Sequence, residues 1–240
     1  MRLDNFLVEQ GFCESRNKAQ QIIKDGLVSV DEKLIKKPAF KVEEGSSIDV
    51  TKHKSYVSRA AYKLLHFLEE IELDVNDKRA LDIGSSTGGF TQVLLEQGVR
   101  EVSCVDVGHD QLHHSLRADS RVSVYEGCDI RKFVSDEPYE LAVSDVAFIS
   151  LLHILDDVDR LASRDIILLF KPQFEVGREA KRDKNGVVLD KKAISRAMQK
   201  FEDAAALKGW KLHKKAPSQL AGKEGNVEWC YWFYKHDGAN

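Results

Sequence analysis

One ten-residue stretch limits this chain more than any other: Leu81-Asp82-Ile83-Gly84-Ser85-Ser86-Thr87-Gly88-Gly89-Phe90. An apolar run holding one acid leads into a glycine-rich turn, and an amphipathic segment from Phe90 to Gln97 follows. That order predicts a strand, a tight loop and a helix start. Glycines at Gly84, Gly88 and Gly89 let backbone pass close to a ligand and take up positive φ. At the C-terminal edge of a parallel sheet, such a loop is where nucleotide-like ligands sit. The spacing is G-x-x-x-G-G rather than G-x-G-x-x-G, so the turn that packs a pyrophosphate is not spelled out. Asp82, two residues ahead of the first glycine, suits a cationic amine better than a phosphate. The expected ligand carries a positive end and an adenosine: S-adenosylmethionine, held by Asp82, Gly84, Ser86, Thr87, Gly88, Gly89 and Phe90.

The surrounding pattern is the α/β alternation of a doubly wound, Rossmann-like sheet. A helix is expected to begin at Tyr56, with Ala61, Leu64, Leu65, Leu68 and Ile71 at helical spacing toward the sheet. Arg59 and Lys63 lie one turn apart on another face, where both can look into a cleft. After the loop, strands are expected at Glu101–Val105, Val122–Tyr125, Leu141–Val143 and Ile166–Phe170. Helices fall near Gln111–Arg117, Ser150–Leu161 and up to about Lys208, before final strands at Trp210–Ala216 and Trp229–Lys235. Asp106 closes the second strand about 20 residues past the loop, where a carboxylate accepts hydrogen bonds from ribose hydroxyls. Asp129 can take an adenine amino group while Ile130 stacks on the ring. Asp145 ends the fourth strand, beside the methyl group of the same ligand.

At 240 residues the chain suits one large domain and a small one, divided at 54/55 within the polar stretch Thr51–Ser55. Residues 1–54 carry the signals of two short helices and three short strands, with Ser15 capping the second helix, which runs to about Asp25, and Gly26 closing it. From Ser15 to Lys41 there are 7 basic and 3 acidic residues; the bases are Arg16, Lys18, Lys24, Lys33, Lys36, Lys37 and Lys41. The net charge of −3 conceals a strong unevenness. Residues 61–170 hold 10 basic against 21 acidic side chains, and residues 171–224 hold 14 against 7. An acidic middle with basic flanks fits an enzyme that brings a polyanion to a ligand-filled cleft. The four cysteines are scattered with no CxxC pair, and the histidines have no partners at ligand spacing, so neither disulfide nor metal is expected. No apolar run reaches the length of a membrane span, and the N-terminus lacks a signal-peptide core; a cytoplasmic monomer is expected.

Four ionisable residues stand at element ends that a doubly wound sheet can gather: Lys63, Asp145, Lys171 and Glu228. Pro172 stops its strand and leaves Lys171 at the functional edge. Lys–Asp–Lys–Glu is the tetrad of ribose 2′-O-methyltransferases. A ribose hydroxyl is a poor nucleophile, so a base must take its proton while the methyl donor is held in line. Lys171 is the candidate base. An amine with an ordinary pKa of about 10.4 needs desolvation or a nearby cation to act near neutrality, and Lys63 supplies the like charge. Asp145 is expected between the methyl donor and the two amines, orienting both, with Glu228 fixing Lys63.

Two resemblances follow. R-L-D-x-x-L, S-R-x-x-A-x-x-x-I-x-x-G-x-V-x-V and K-x-P resemble the RNA-binding module named after small-subunit ribosomal protein S-four. The likeness implies an RNA-backbone surface that includes Arg2 and the bases between Arg16 and Lys41, with Arg59 just beyond it. Taken together, Y-V-S-R-A-A-Y-K-L, D-I-G-S-S-T-G-G-F-T, D-V-G-H-D-Q-L, L-R-x-D-x-R-V, S-D-V-A-F-I-S-L, K-P-Q-F-E-V-G and G-N-V-E-W resemble the TlyA family, in order and over essentially the whole chain. These are hemolysin-like rRNA 2′-O-methyltransferases with an FtsJ-like catalytic domain. The resemblance implies methyl transfer to a cytidine ribose of rRNA at the inter-subunit bridge, sensitising bacteria to capreomycin. It also implies a choice between a longer form acting on both subunits and a shorter, large-subunit form; a chain starting almost at its first motif leans to the shorter. Lys54 and Tyr56 depart from the arginine and tryptophan expected before V-S-R.

Three rival readings compete with this one. Base methylation predicts a proline-aromatic tetrapeptide or a catalytic cysteine at the fourth strand, where this chain has Ser144-Asp145-Val146-Ala147. An assembly factor that binds S-adenosylmethionine without essential catalysis is the alternative of a different class. A membrane-lysing toxin lacks a span or an insertion helix.

Overall fold

The computed structural model describes residues 1–24, 26–43, 45–50 and 56–235. The chain divides into two compact units, Met1–Ser55 and Tyr56–Asn240. The polar joint expected over 51–55, the divide at 54/55 and the helix end at Asp25 fall outside the described residues.

In the first unit, α1 (Leu3–Glu9) and α2 (Arg16–Lys24) precede β1 (Val28–Val30), β2 (Lys33–Leu34) and β3 (Ile48–Val50). The strands form an antiparallel sheet in the order β2-β1-β3. Leu3, Leu7, Ala19, Ile23, Val28, Val30 and Val42 share one small core, with Leu3 and Leu7 at helical spacing on α1 and Val28 and Val30 on one face of β1. Ser15 caps α2 by accepting the Lys18 N–H at 3.3 Å.

At the centre of this unit is a charge the sequence does not announce. Asp4 is fully buried and accepts from Arg2 Nε and Nη2 at 2.9 Å each, Gln20 Nε2 at 2.9 Å and Arg16 Nε at 3.1 Å. Arg2 and Arg16, expected on the RNA surface, are exposed there and at the same time tie α1 to α2 through Asp4. Lys24, Lys33, Lys36, Lys37 and Lys41 are exposed, and Lys18 is half-buried. The Arg2 guanidinium holds the Asp4 carboxyl well below the usual carboxylate range, with help from Gln20 and Arg16. A lowered folded-state value stabilises above the unfolded pKa of about 3.9 and is lost as pH falls through the folded value. Asp4→Ala is expected to weaken this unit by about 2 kcal/mol, because both arginines stay half in water. The check is amide exchange of α1 and α2 at neutral pH; unchanged protection would contradict the assignment.

The second unit contains α3 (Ala60–Ile71), β4 (Arg79–Ile83), α4 (Gly89–Glu96), β5 (Glu101–Asp106), α5 (His114–Arg117), β6 (Val122–Glu126) and β7 (Tyr139–Ser144). It continues with α6 (Leu155–Leu161), β8 (Ala162–Phe170), α7 (Pro172–Glu175), α8 (Lys191–Leu207), β9 (Trp210–Pro217) and β10 (Trp229–Lys235). One seven-stranded sheet runs β6-β5-β4-β7-β8-β10-β9. The first five strands are parallel, and β10 enters antiparallel between β8 and β9. Helices cover both faces, so β8 reads as a nearly continuous buried apolar run from Ile166 to Phe170. One core packs Leu64, Phe67, Val93 and Leu94 on the sheet, the other Leu155, Val158, Phe201 and Ala205. The edge strand β9 carries exposed Lys211, Lys214 and Lys215, which blunt it against pairing with another chain.

Three expected helices come out differently. The helix expected from Tyr56 begins at Ala60. The segment Ser150–Leu161 splits into a 3-10 turn, Leu151–His153, and α6, because Ser150 caps the turn and the Leu151 N–H donates to Glu175 at 2.8 Å. The helix near Gln111 shrinks to α5, capped by His113. The short α7 was not expected; Pro172 sits at its first turn, where its missing N–H costs nothing. Among the described residues no helix is long and apolar enough to cross a membrane.

Candidate active site

A cavity of about 550 Å³ opens at the C-terminal ends of β4, β5 and β7. There the connections diverge, from β4 toward β5 on one side and from β7 toward β8 on the other, which is the usual ligand crevice of such a sheet. Of the residues the sequence singles out, Gly84, Ser86, Asp106, Asp129, Ile130 and Asp145 line it. Asp106 anchors the wall by accepting the Ser86 N–H at 2.8 Å and the Gly108 N–H at 2.7 Å. Ile83, Val105 and Ile130 supply apolar surface between the carboxylates.

The second half of the glycine loop does not reach the cavity wall. Gly88 and Gly89 are buried, and Phe90 is a core residue between α3 and α4. A Cβ on Gly89 would stand 2.1 Å from Ser58 Oγ and 3.0 Å from the Ala61 backbone nitrogen. This glycine therefore lets the loop seat against the start of α3, the helix that carries Lys63. Thr87 contributes its carbonyl, which accepts the His113 N–H at 3.2 Å.

Asp82 also departs from expectation. It does not line the cavity but is fully buried, where Thr91 donates from its N–H at 3.0 Å and its hydroxyl at 2.6 Å. Burial pushes its carboxyl up to about 7 against those hydrogen bonds, and the neighbouring Asp145 and Asp106 add to the rise. Asp129, on the cavity wall, pairs with Arg131, whose Nη2 lies at 2.5 Å and whose N–H donates at 3.0 Å. The Arg131 side chain holds that carboxyl at about 2.

The fold brings together the four ionisable residues as two ion pairs, which meet the cavity wall at Asp145. Lys63 Nζ stands 2.6 Å from Glu228 Oε2, and Lys171 Nζ stands 2.6 Å from Asp145 Oδ1. Lys171 also donates to the Asp145 carbonyl at 3.2 Å, and Gln173 Nε2 donates to Glu228 Oε1 at 3.2 Å. Each amine thus has its own carboxylate. The expectation that Asp145 orients both amines is corrected: among the described contacts it holds Lys171, and Glu228 holds Lys63. Strand register explains the convergence, since Trp229 pairs with Phe170 and so sets Glu228 across from Lys171, the residue after Phe170. Both pairs lie around Cys230, which is buried. Burial pushes its thiol up to about 12, Lys63 opposes, and Asp145 and Glu228 reinforce the rise. Lys171 and Glu228 are buried and Asp145 lies on the cavity wall. Arg59 is exposed just ahead of α3.

Three residues here escaped sequence reasoning. Phe148 lines the cavity with 91% of its surface exposed, at φ +65°, and its ring centroid lies 5.3 Å from that of Phe174. A left-handed, non-glycine aromatic in the open is strained and out of place unless something stacks on it. Gln173 and Asn226 act through bonds to distant loops, which no local spacing reveals.

Residues 56–235 match the FtsJ-like methyltransferase family and residues 1–48 match the S4 domain. The chain is 44% identical over 256 residues to the 23S rRNA (cytidine-2′-O)-methyltransferase TlyA of Campylobacter jejuni, covering 98% of this chain and 100% of that protein. It is 39% identical over 238 residues to the 16S/23S rRNA (cytidine-2′-O)-methyltransferase TlyA of Mycobacterium tuberculosis, covering 96% and 88% respectively. A solved structure from Streptococcus thermophilus, described as a hemolysin, superposes with a TM-score of 0.73 at 33% identity over 99% of this chain and 89% of that one.

Proposed function

The chain belongs to the TlyA family, an FtsJ-like methyltransferase with an S4 domain, and from that premise we propose that it methylates the 2′-hydroxyl of a cytidine ribose in ribosomal RNA. The donor is S-adenosylmethionine, and the observation that carries the reading is the convergence of two amine–carboxylate pairs, one of which reaches through Asp145 the wall of a cavity that suits that molecule. Asp106, held by two backbone N–H groups, keeps lone pairs for ribose hydroxyls. Ile83, Val105 and Ile130 offer a purine apolar surface, and the carboxylates of Asp106 and Asp145 on the wall complement a cationic sulfur. When bound, the donor supplies an electrophilic methyl group.

The protein's own residues do the rest. Lys171 accepts the proton of the ribose hydroxyl, and Asp145 holds its amine at the cavity edge. Glu228, steadied by Gln173, holds Lys63 as a second donor toward the same oxygen. Phe148 gives the target base a face to stack on, a sequence-tolerant mode of holding an unstacked nucleotide. The exposed lysines of the N-terminal unit, separated at 54/55, and Arg59 grip the RNA backbone. The enzyme acts as a cytoplasmic monomer on large-subunit RNA at the inter-subunit bridge, and its loss lowers sensitivity to capreomycin. The naming of the 44% identical relative for 23S rRNA supports that choice of subunit.

The test is a map of 2′-O-methylation on both ribosomal RNAs from cells with and without this protein. Loss of a cytidine methyl from the large-subunit RNA is the expected result. Identical maps, together with a defect in subunit assembly, would instead favour an S-adenosylmethionine-binding assembly factor.

A further inference from the structure

Between α7 and α8 the chain makes a structure that the catalytic reading leaves unused. Residues 181–189 turn back on themselves: Arg182 bridges Val188, the Leu189 N–H donates to the Lys181 carbonyl at 2.8 Å, and Asp183 Oδ1 closes the tip by accepting the Val187 N–H at 2.9 Å. This hairpin exposes Lys181 and Lys184 and rests on α8 through a separate apolar cluster of Ala180, Val188 and Ala193. Its other support is Asn226, which is only 4% exposed. Asn226 Oδ1 accepts the Val188 N–H at 3.0 Å, and its Nδ2 donates to the Gly186 carbonyl at 3.4 Å. The backbone carbonyl of the same residue accepts the Gly222 N–H at 2.8 Å. Gly222 in turn lies against the tetrad, since a Cβ there would stand 2.5 Å from Glu228 Oε1. One buried amide thus fastens the basic hairpin to the loop that covers the carboxylate holding Lys63.

We infer that Asn226 is a positioning residue that couples the 181–189 hairpin to the Lys63–Glu228 pair, so that RNA contact at the hairpin helps set the amine for reaction. The inference rests on the reading of rRNA as substrate. Asn226 touches neither the cavity nor the reacting atoms, and none of the hairpin lines the cavity. Its removal therefore acts on turnover and RNA affinity and leaves S-adenosylmethionine affinity alone. A misplacement of the tetrad by about 1 Å lowers kcat on the order of 10²-fold.

The experiment uses the full chain in three forms: wild type, Asn226→Ala and Asn226→Asp. Rate and KM for rRNA, Kd for S-adenosylmethionine and amide exchange are measured for each. The expected result is a large kcat loss and a raised RNA KM for Asn226→Ala at unchanged S-adenosylmethionine Kd. Asn226→Asp, which keeps the acceptor for the Val188 N–H, recovers most of the rate. Exchange at Val188 and Gly222 speeds up together in Asn226→Ala. Equal losses in both variants, a matching fall in S-adenosylmethionine affinity, or faster exchange at Val188 with Gly222 still protected would each overturn the inference. A wild type that leaves rRNA unmethylated sinks the substrate reading instead, and the exchange data still decide the coupling.

Discussion

Lys171→Arg is expected to keep the fold, keep S-adenosylmethionine binding and lose methyl transfer by about 10²- to 10⁴-fold, the range for removing a general base. Arginine is the sharper probe because it separates two things that Lys171 does. It can still pair with Asp145, whose Oδ1 lies 2.6 Å from the native amine. It cannot give up a proton at any accessible pH. Lys171→Ala removes both functions and leaves the Asp145 carboxylate facing the cavity alone. If Lys171 only neutralises Asp145, arginine restores activity and alanine does not. If it is the base, the two variants fail alike while rRNA binding persists. Single-turnover transfer with saturating donor reads the difference. An arginine variant within a few-fold of wild type would remove Lys171 from the proton path.

How much of this was legible in the sequence depends on how far each residue's partner lies along the chain. The doubly wound unit follows from local signals: an apolar strand, a glycine loop and a helix start, repeated. Lys63, Asp145, Lys171 and Glu228 stood out because each closes or opens an element, and such ends gather at one edge of a parallel sheet. That Glu228 holds Lys63 stands as expected; that Asp145 holds Lys171 alone was not legible, and the convergence itself rests on Trp229 pairing with Phe170, 59 positions apart in the chain. Asp82 lies off the cavity lining, for a similar reason. Its place beside the loop suggested a ligand, yet Thr91, nine residues on, claims it inside the fold. Arg2 and Arg16 looked like RNA contacts because a basic residue on a short helix carries no mark of its partner. Asp4, buried beneath them, adds a structural role that their exposed positions do not reveal. The antiparallel entry of β10 between β8 and β9 is a topological choice that strand patterns leave open.

The Lys63–Glu228 pair yields the second large effect, because here folding and chemistry can be pulled apart. The side chains retain 10% and 3% of their exposure and stand 2.6 Å apart. Removing one partner of a buried pair strands a charge, so Glu228→Ala is expected to lose about 3–5 kcal/mol of stability together with activity. That variant alone cannot distinguish a catalytic residue from a structural one. The double variant Lys63→Met with Glu228→Gln can. Methionine refills the lysine stem, the glutamine carbonyl still accepts the 3.2 Å bond from Gln173 Nε2, and no buried charge is left unpaired. Buried ion pairs exchanged for neutral groups of similar volume commonly cost little, so thermal unfolding should return close to wild type. Methyl transfer should stay at the level of the single variants, since the ammonium proposed to face the ribose oxygen is gone. Recovery of stability without activity assigns the pair to the chemistry. Recovery of both would mean that Lys63 and Glu228 are a structural bridge that happens to adjoin the cavity.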